Sequence, residues 1–277
     1  QRVSRGQLDL VVIDEAGQFS LANTLAVSAA GERLLLLGDP QQLPQVSQGS
    51  HPEPVDGSAL GWLNEGHRTL PADRGYFLER SWRMHPAVCD RISVLSYDGK
   101  LSSQEPETTN RSMSGIDAGL HVIHVDHLGN SVSSLEEAGE VVLQVRRVLG
   151  CTWHDPKEDA AARPTTQADL LVVAAYNAQV ALLRHELKAA GFGDVKVGTV
   201  DKLQGQEAPV VIVSMAASSS ADVPRGMDFL ISRNRVNVAV SRAKWAAIVV
   251  RSPYLTDYLP GSPQGLADLG AFIRLTS

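Results

Sequence analysis

The chain has 277 residues, of which 43% are hydrophobic and 20% are charged, and its formal net charge is −6. This composition is typical of a globular protein with a substantial core, and it excludes a disordered or low-complexity chain. The negative net charge excludes a general attraction to polyanions, although a local basic stripe would still allow nucleic-acid binding.

Short apolar runs alternate along the chain with segments of helical periodicity. The predicted strands are residues 8–13, 33–37, 120–125, 169–174, 195–200, 209–215 and 246–250. Apolar runs of this length are typical of strands that are buried on both faces of a parallel sheet. Their alternation with helices predicts an α/β fold.

Three helices and three loops are predicted from periodicity and composition. The helices are residues 136–149, residues 177–190 with Asn177 as a cap and Gly191 just past the end, and residues 236–243 with an apolar face. The loops are residues 47–57, 100–119 and 151–166, which we expect to be solvated surface connections. The domain boundary is expected near residues 75–81.

The first predicted strand ends at a pair of carboxylates, Asp14 and Glu15. In open α/β sheets, ligands bind beyond the carboxyl ends of the strands. A carboxylate in that position can hold Mg²⁺ through its water shell, and its neighbour can orient or deprotonate an attacking water. The alternative is a charged pair that only ends a strand, and the second strand that ends at Gly38 and Asp39 argues against it.

Four further segments carry polar or charged side chains in an ordered series. Residues 38–44 read Gly-Asp-Pro-Gln-Gln-Leu-Pro, and residues 81–86 read Ser-Trp-Arg-Met-His-Pro. Residues 199–207 read Thr-Val-Asp-Lys-Leu-Gln-Gly-Gln-Glu, directly after a predicted strand. Residues 233–244 place Arg235 and Arg242 seven positions apart, on one face of the predicted helix.

Together these segments resemble motifs II to VI of the superfamily 1 helicases, over roughly residues 9–250. Residues 81–86 are similar to the subgroup of the nonsense-mediated-decay RNA helicase and the nuclease-helicases of DNA replication. Residues 223–230 look most like bacterial helicases fused to a nuclease. The resemblance implies RecA-like P-loop NTPase sheets, with residues 1–78 as the C-terminal part of a first domain and residues 79–277 as a complete second domain.

The resemblance also implies ATP and Mg²⁺ as cofactors. Asp14 would hold Mg²⁺ and Glu15 would activate the attacking water. Gln42 would sense the γ-phosphate, and Asp39 would support its loop. No Gly-x-x-x-x-Gly-Lys-Ser/Thr phosphate loop occurs in the chain, so we expect a truncated first domain and an inactive isolated chain.

The second domain would supply arginines to the same reaction. By resemblance, Arg83 would reach the γ-phosphate across the domain cleft. Arg242 would be the arginine finger, with Arg235 as its partner. Trp82 would either stack on adenine or pack in the core.

The resemblance also implies contacts to the nucleotide and to the nucleic-acid strand. Gly205 would approach the nucleotide, and Glu207 would support the ribose or the phosphate arginines. Thr199 would touch a backbone phosphate, and Tyr176 would stack on a base or pack beneath the groove.

The implied activity is that of an ATP-dependent motor moving on a single strand of nucleic acid, with DNA favoured over RNA. The expected partner in the same polypeptide is an N-terminal remainder, which could include a nuclease domain. The alternatives are a binding module without turnover and a degenerate homologue that has lost its phosphate loop.

Cys89 and Cys151 lack the spacing of a zinc site or a disulfide framework, so we expect free thiols in a reducing, cytoplasmic compartment. No apolar run approaches the ~18 residues of a membrane span, and no membrane partner is expected.

Overall fold

The computed structural model describes residues 4–44, 51–52, 54–55, 57–158 and 161–277. The chain divides into two compact units. Unit 1 comprises Gln1–Leu78 with Ser96–Asp98, and unit 2 comprises Glu79–Leu95 with Gly99–Ser277. The assignment of residues 1–78 and 79–277 to two RecA-like domains stays a prediction. Most of the predicted loop at residues 47–57 lies outside the described residues.

Unit 1 is built on two parallel strands. Its elements are β1 (Leu8–Ile13), α1 (Leu21–Ser28), β2 (Gly31–Leu36) and α2 (Ala59–Asn64). β1 and β2 pair in parallel, with Ile13 opposite Leu36, so both strands end at the same edge. The Oγ of Ser20 accepts a hydrogen bond from the Asn23 amide and caps α1.

The expectation that these two strands are buried on both faces was wrong. Val11 and Ile13 are buried in a small core, whereas Leu8, Leu10 and Val12 on the alternate positions are exposed. Among the described residues β1 and β2 pair only with each other, and side chains alternate across a strand. One face therefore packs and the other faces solvent.

Unit 2 is built on a five-stranded, fully parallel sheet, which confirms the α/β fold class. The strands are β6 (Gly119–His124), β9 (Leu170–Ala174), β10 (Lys196–Thr199), β11 (Ala208–Ser214) and β12 (Ala243–Arg251). Their spatial order is β10–β9–β11–β12–β6. Every residue of β9 and β11 is buried, as predicted for the interior of a parallel sheet.

The helices of unit 2 are α3 (Pro86–Ser96, ending at the unit boundary), α4 (Leu135–Leu149), α5 (Asn177–Ala189), α6 (Met227–Leu230), α7 (Arg233–Val240) and α8 (Pro263–Leu275). The predicted stripe of α4 is confirmed, since Val141, Val145 and Val148 are fully buried. Asn177 does not cap α5, because the cap position is Tyr176, which makes no side-chain hydrogen bond.

Two of the segments that were predicted to be solvated loops contain short strands and buried residues. Residues 100–119 contain β4 (Ser102–Ser103), which pairs with β3 (Arg80–Ser81), and β5 (Ser112–Met113). Residues 151–166 contain β7 (Thr152–His154) and β8 (Arg163–Pro164), which form an antiparallel sheet with β5. Trp153 is 1% exposed and Asp155 is 2% exposed. Polar composition suggested solvent, but the Asp155 carboxylate is buried and paired with Arg111.

A buried polar network joins strand ends to helix starts in unit 2. The Glu137 carboxylate, fully buried at the start of α4, accepts hydrogen bonds from Ser214 Oγ at 2.6 Å and the Ala216 amide at 2.9 Å. His127 lies between Glu137 and Ser218, at 3.1 and 2.7 Å. Gln179 of α5 donates to Ser214 Oγ at 2.9 Å. Buried polar groups with matched partners hold one arrangement.

None of the helices in the described part of the chain has the length and apolar character that a membrane crossing requires.

Candidate functional site

In unit 1, the loops that follow β1 and β2 are held against each other. The Ala16 amide donates to the Leu37 carbonyl at 2.7 Å, and the Leu37 amide donates to the Ile13 carbonyl at 2.9 Å. A Cβ on Gly17 would lie 2.5 Å from the Asp39 carbonyl oxygen, and a Cβ on Gly38 would lie 2.7 Å from the Ala16 nitrogen. Only glycine permits this approach, which places the two polar loops at one edge.

Asp39 organises the second of these loops. Its Oδ1 accepts from the Gln41 amide at 2.9 Å, and its Oδ2 accepts from Gln42 Nε2 at 3.3 Å. The Tyr97 hydroxyl donates to the same Oδ2 at 2.5 Å. Asp39 is therefore occupied as a support for Gln42, and Tyr97 is a supporting residue that the sequence analysis missed. No local motif marks Tyr97, which lies 58 positions away.

Asp14 and Glu15 both lie exposed at the end of β1. The Glu15 amide donates to Asp14 Oδ1 at 2.9 Å, and Gln18 Nε2 donates to Glu15 Oε2 at 3.3 Å. Glu15 has a φ of +54°, a left-handed conformation that is unusual for a side-chain-bearing residue and is common at functional turns. The two carboxylates thus project from a tight turn beside the Gln42 loop.

The residues present suit a magnesium ion that is bound mainly through phosphates and water. Within the described ranges, no group of three or more His, Cys, Asp or Glu side chains is arranged to hold a metal ion. Mg²⁺ typically takes one or two protein carboxylates and fills its remaining positions with water and substrate phosphate oxygens. Asp14, as an exposed oxygen donor at the strand end, meets that requirement.

In unit 2, Arg83 is fixed by Glu207. Arg83 Nε donates to Glu207 Oε2 at 2.7 Å, and Arg83 Nη1 donates to the Ser241 carbonyl at 3.1 Å. Lys244 Nζ lies 3.4 Å from the other Glu207 oxygen. Burial acts to raise the pKa of Glu207, but the hydrogen bond and charge of Arg83, with Lys244, outweigh it and lower that pKa from its ordinary value.

A buried ion pair supports the backbone that carries Arg83. Arg111 Nε donates to Asp155 Oδ2 at 2.8 Å, and the two side chains are 3% and 1% exposed. The guanidinium also donates to the backbone carbonyls of Arg83 and Trp82. The sequence analysis missed Arg111 and Asp155, because both fall in segments that we expected to be solvated.

Trp82 and His85 flank Arg83 in different ways. Trp82 is 53% exposed, so the core-packing alternative for this residue was wrong. The ammonium of Lys157 lies 4.5 Å from the centre of its ring, in a cation–π contact. His85 packs edge-on against Trp245, and burial, followed by the charge of Arg111, lowers its pKa.

Arg235 and Arg242 do not share a helix face. α7 ends at Val240, so Arg242 lies beyond the helix, where it is 3% exposed and donates to the Val238 carbonyl at 3.0 Å. Arg235 Nη1 instead lies 3.3 Å from Asp201 Oδ2, and its guanidinium lies 4.0 Å from the Phe229 ring centre. The expected helix at residues 236–243 began and ended too late, because Ser232 caps α7.

The remaining predicted residues lie at the carboxyl ends of β9 and β10. Thr199 ends β10 and is buried, and Gly205 has a φ of +78° in the turn that follows. Tyr176 is 8% exposed, with its ring 5.9 Å from that of Phe229. This placement favours packing for Tyr176 over stacking on a base.

The fully parallel five-stranded sheet, with polar loops at its strand ends, makes unit 2 an α/β domain of the kind that binds ligands at that edge. Two family models, each described as an AAA domain, match residues 63–253 and residues 1–48. The chain belongs to this AAA domain family, and its relatives are superfamily 1 helicases, which confirms the resemblance. The similarity to bacterial nuclease fusions in particular stays a prediction.

Three relatives cover most of the chain. The "DNA replication ATP-dependent helicase/nuclease DNA2" of Gallus gallus is 26% identical and covers 92% of the chain, which spans 24% of that protein. The "DNA polymerase alpha-associated DNA helicase A" of Schizosaccharomyces pombe is 28% identical over 88% of the chain and 37% of its own length. The human "3'-5' exoribonuclease HELZ2" is 27% identical over 84% of the chain and 8% of its own length. The chain thus spans well under half of each.

The chain is also similar to solved structures, at lower sequence identity than to these three relatives. An arterivirus nonstructural protein 10 (helicase) with DNA matches with a TM-score of 0.43 and 19% identity, over 90% of this chain and 40% of its own. The C-terminal domain of a possible DNA helicase from Lactobacillus plantarum matches with a TM-score of 0.39 and 15% identity, over 71% of this chain and 98% of its own. The fold class rests on the parallel sheet itself.

Proposed function

We propose that this chain is the C-terminal motor portion of an ATP-dependent helicase that couples ATP hydrolysis to movement on a single strand of nucleic acid. The observation that carries the proposal is the placement of its polar motifs. The carboxylates and Gln42 share one strand-end edge of unit 1, and Arg83 is fixed to Glu207 in unit 2. The family supports ATP as the nucleotide.

The proposed chemistry of unit 1 uses its two exposed carboxylates and its amide. Asp14 would hold Mg²⁺ through an oxygen ligand, and a bound Mg²⁺ would supply positive charge against the negative charge that develops on the phosphates. Glu15 orients a water molecule for attack on the γ-phosphorus and accepts its proton. Gln42, held by Asp39, donates from its amide without adding charge to the phosphate.

The proposed chemistry of unit 2 uses fixed cations. Arg83 and Arg242 stabilise the negative charge that develops on the transferring phosphoryl group. Glu207 and the Ser241 carbonyl set the direction of the Arg83 guanidinium, which reduces the reorganisation that is needed during reaction. Trp82 offers an exposed aromatic face for the adenine, while Gly205 and Arg235 lie near the turn after β10.

We propose DNA as the strand. Two of the three relatives above are named as DNA helicases, and one of these is also named as a nuclease. A nuclease domain elsewhere in the polypeptide and a role in DNA repair are part of the same proposal. Thr199 would contact the strand, and Tyr176 would shape the surface beneath it.

The test is single-strand-stimulated ATP hydrolysis in the longer protein that the proposal implies, beside the isolated chain. Glu15→Gln should lower the rate by roughly 10²–10⁴-fold, because it removes the general base. Glu32→Gln, an exposed carboxylate within β2, is the matched control and should leave the rate unchanged. Equal rates for the wild type and Glu15→Gln would sink the assignment.

A second pair of variants addresses unit 2. Arg83→Ala should lower hydrolysis by about 10³-fold or more, whereas Arg80→Ala, an exposed neighbour, should not. Comparing DNA with RNA as the stimulating strand tests the choice of nucleic acid. If the longer protein binds a strand but hydrolyses no ATP, the alternative of a binding module without turnover replaces the motor.

A further inference from the structure

An uneven distribution of positive charge marks one groove of unit 2. The chain has six lysines, and three of them, Lys188, Lys196 and Lys202, line a single concave surface together with Arg184. All four of these basic residues are exposed, and the groove has a volume of about 480 Å³. Asp194 is its one acidic lining residue. A chain with net charge −6 thus concentrates cations here.

The groove lies between a helix and a sheet edge. β10 pairs only with β9 among the described strands, so its outer side is the edge of the sheet. Arg184 and Lys188 lie one turn apart on α5, and Arg184 Nη2 donates to the Val197 carbonyl of β10 at 2.7 Å. This bond fixes one wall of the groove to the other.

The lysines of the groove are not committed to internal pairs. Across the part of the chain that the structure describes, none of the ion pairs involves Lys188, Lys196 or Lys202. Lys244, by contrast, pairs with Glu158 and Glu207. Exposed ammonium groups without internal partners are suited to phosphate, because binding releases counterions from the polyanion.

One end of the groove is held in place beside the predicted strand contact. Gly198 and Lys202 both line the groove, on either side of Thr199 in sequence. The amides of Lys202 and Leu203 donate to the Thr199 carbonyl at 3.0 and 3.1 Å. A Cβ on Gly198 would lie 2.9 Å from Leu203 Cγ, so Leu203 packs tightly there and anchors the turn.

The groove also contains an aromatic residue. Phe192 is half-buried in its wall, with the Arg146 guanidinium 5.9 Å from its ring centre. Cations that track a backbone, combined with aromatic rings, are the usual composition of surfaces that bind single strands without reading sequence.

We propose that this groove binds the sugar–phosphate backbone of single-stranded nucleic acid beyond the contact at Thr199. The proposal rests on the proposed function, since it extends the same strand path along the outer edge of the sheet. Lys188, Lys196 and Lys202 are the phosphate contacts, and Arg184 fixes α5 to β10.

The test is equilibrium binding of a fluorescein-labelled oligothymidylate to the chain, measured by fluorescence anisotropy at several salt concentrations without ATP. Lys188→Ala/Lys196→Ala should weaken binding, and the slope of log affinity against log salt should fall by about 1.4, at ~0.7 for each lost phosphate contact. Lys100→Ala, an exposed lysine outside the groove, is the control and should match the wild type.

Three results would overturn the proposal. The first is an unchanged affinity and slope in the double variant, and the second is no binding by the wild-type chain. The third is a variant that loses affinity for labelled polyglutamate but keeps its affinity for the oligothymidylate, which would assign the groove to an acidic protein. Because the assay contains no ATP, failure of hydrolysis in the longer protein leaves its outcome unaffected.

Discussion

The sheets of the two units differ in how much of their apolar surface they cover. In unit 1, β1 and β2 expose Leu8, Leu10, Val12, Leu34 and Leu35, and their core consists of a few residues around Val11 and Ile13. In unit 2, β9 and β11 are buried along their whole length.

In this chain, the proposed catalytic groups therefore lie on two sheets of unequal stability. Isolated two-stranded sheets are marginal, whereas a larger sheet with helices against it can bury a full core. The Asp14 and Glu15 carboxylates and Gln42 lie on the two-stranded sheet of unit 1. Arg83 and Glu207 lie in unit 2, which has the larger core. The buried Arg111–Asp155 pair also holds the Arg83 backbone in place.

The largest effect should come from breaking the buried ion pair of unit 2. Asp155→Ala leaves the Arg111 charge buried without its partner, which should cost about 3–5 kcal/mol of the free energy of unfolding. In unit 1, Arg68→Ala breaks an exposed pair with Asp98 and should cost about 0–1 kcal/mol. Urea unfolding followed by tryptophan fluorescence measures both. Equal costs would contradict the contrast between the two units.

Hydrogen exchange should separate the two sheets directly. We expect backbone amides of β1 and β2 to exchange roughly 100-fold faster than those of β11, because local opening follows the amount of buried apolar contact. Mass spectrometry of peptides from both units at one pH gives the comparison. Similar protection of both sheets would show that the exposed leucines do not weaken unit 1.

A smaller effect is expected at two matched helix caps. Ser134 is 1% exposed and its hydroxyl has two partners, the Glu137 amide and a Glu136 carboxylate oxygen. Ser134→Ala should cost about 1.5 kcal/mol, whereas Ser20→Ala in unit 1, which loses one partner, should cost about 0.5–1 kcal/mol. The same unfolding assay ranks them, and the reverse order would contradict the prediction.

The smallest expected effect is on how the free energy of unfolding depends on pH. The pKa of Glu207 is lowered in the fold, so the stability that this carboxylate adds is fully present above its ordinary, unfolded-state pKa. It is lost as pH falls through the lower folded pKa. The pair is partly exposed, so the change should stay below about 1 kcal/mol.

Glu207→Gln should remove this part of the acid dependence in urea midpoints measured between about pH 3 and 7. The variant Glu32→Gln, which removes an exposed carboxylate of β2, is the comparison. An unaltered acid dependence in Glu207→Gln would show that the pair with Arg83 contributes nothing to folding.

The sequence predicted the strands and the order of the motifs well, because apolar runs and strand-end polar residues are local patterns. The strand at Leu8–Ile13 was predicted with its observed bounds, and α4 began one residue from its predicted start. The same patterns could not predict how far each strand is buried, because burial of β1 depends on its neighbours in space.

The supporting residues were the part of the site that the sequence could not predict. Tyr97, Arg111 and Asp155 reach their partners across 58, 28 and 44 positions. Arg111 and Asp155 lie in polar segments, so composition indicated solvent, and no local motif marks Tyr97. Only the pairing of β5 with β7 brings Arg111 to Asp155 and removes both charges from water.

The network around Glu137 has a mechanical consequence. Its carboxylate and the Ser214 hydroxyl tie the end of β11 to the first turns of α4 and α5, and each of these bonds lies between fully buried residues. A displacement of that strand end would therefore move both helices with it. In a motor, this corner of unit 2 would move as one rigid piece, and the softer motion would be left to the turn after β10 that carries Gly205.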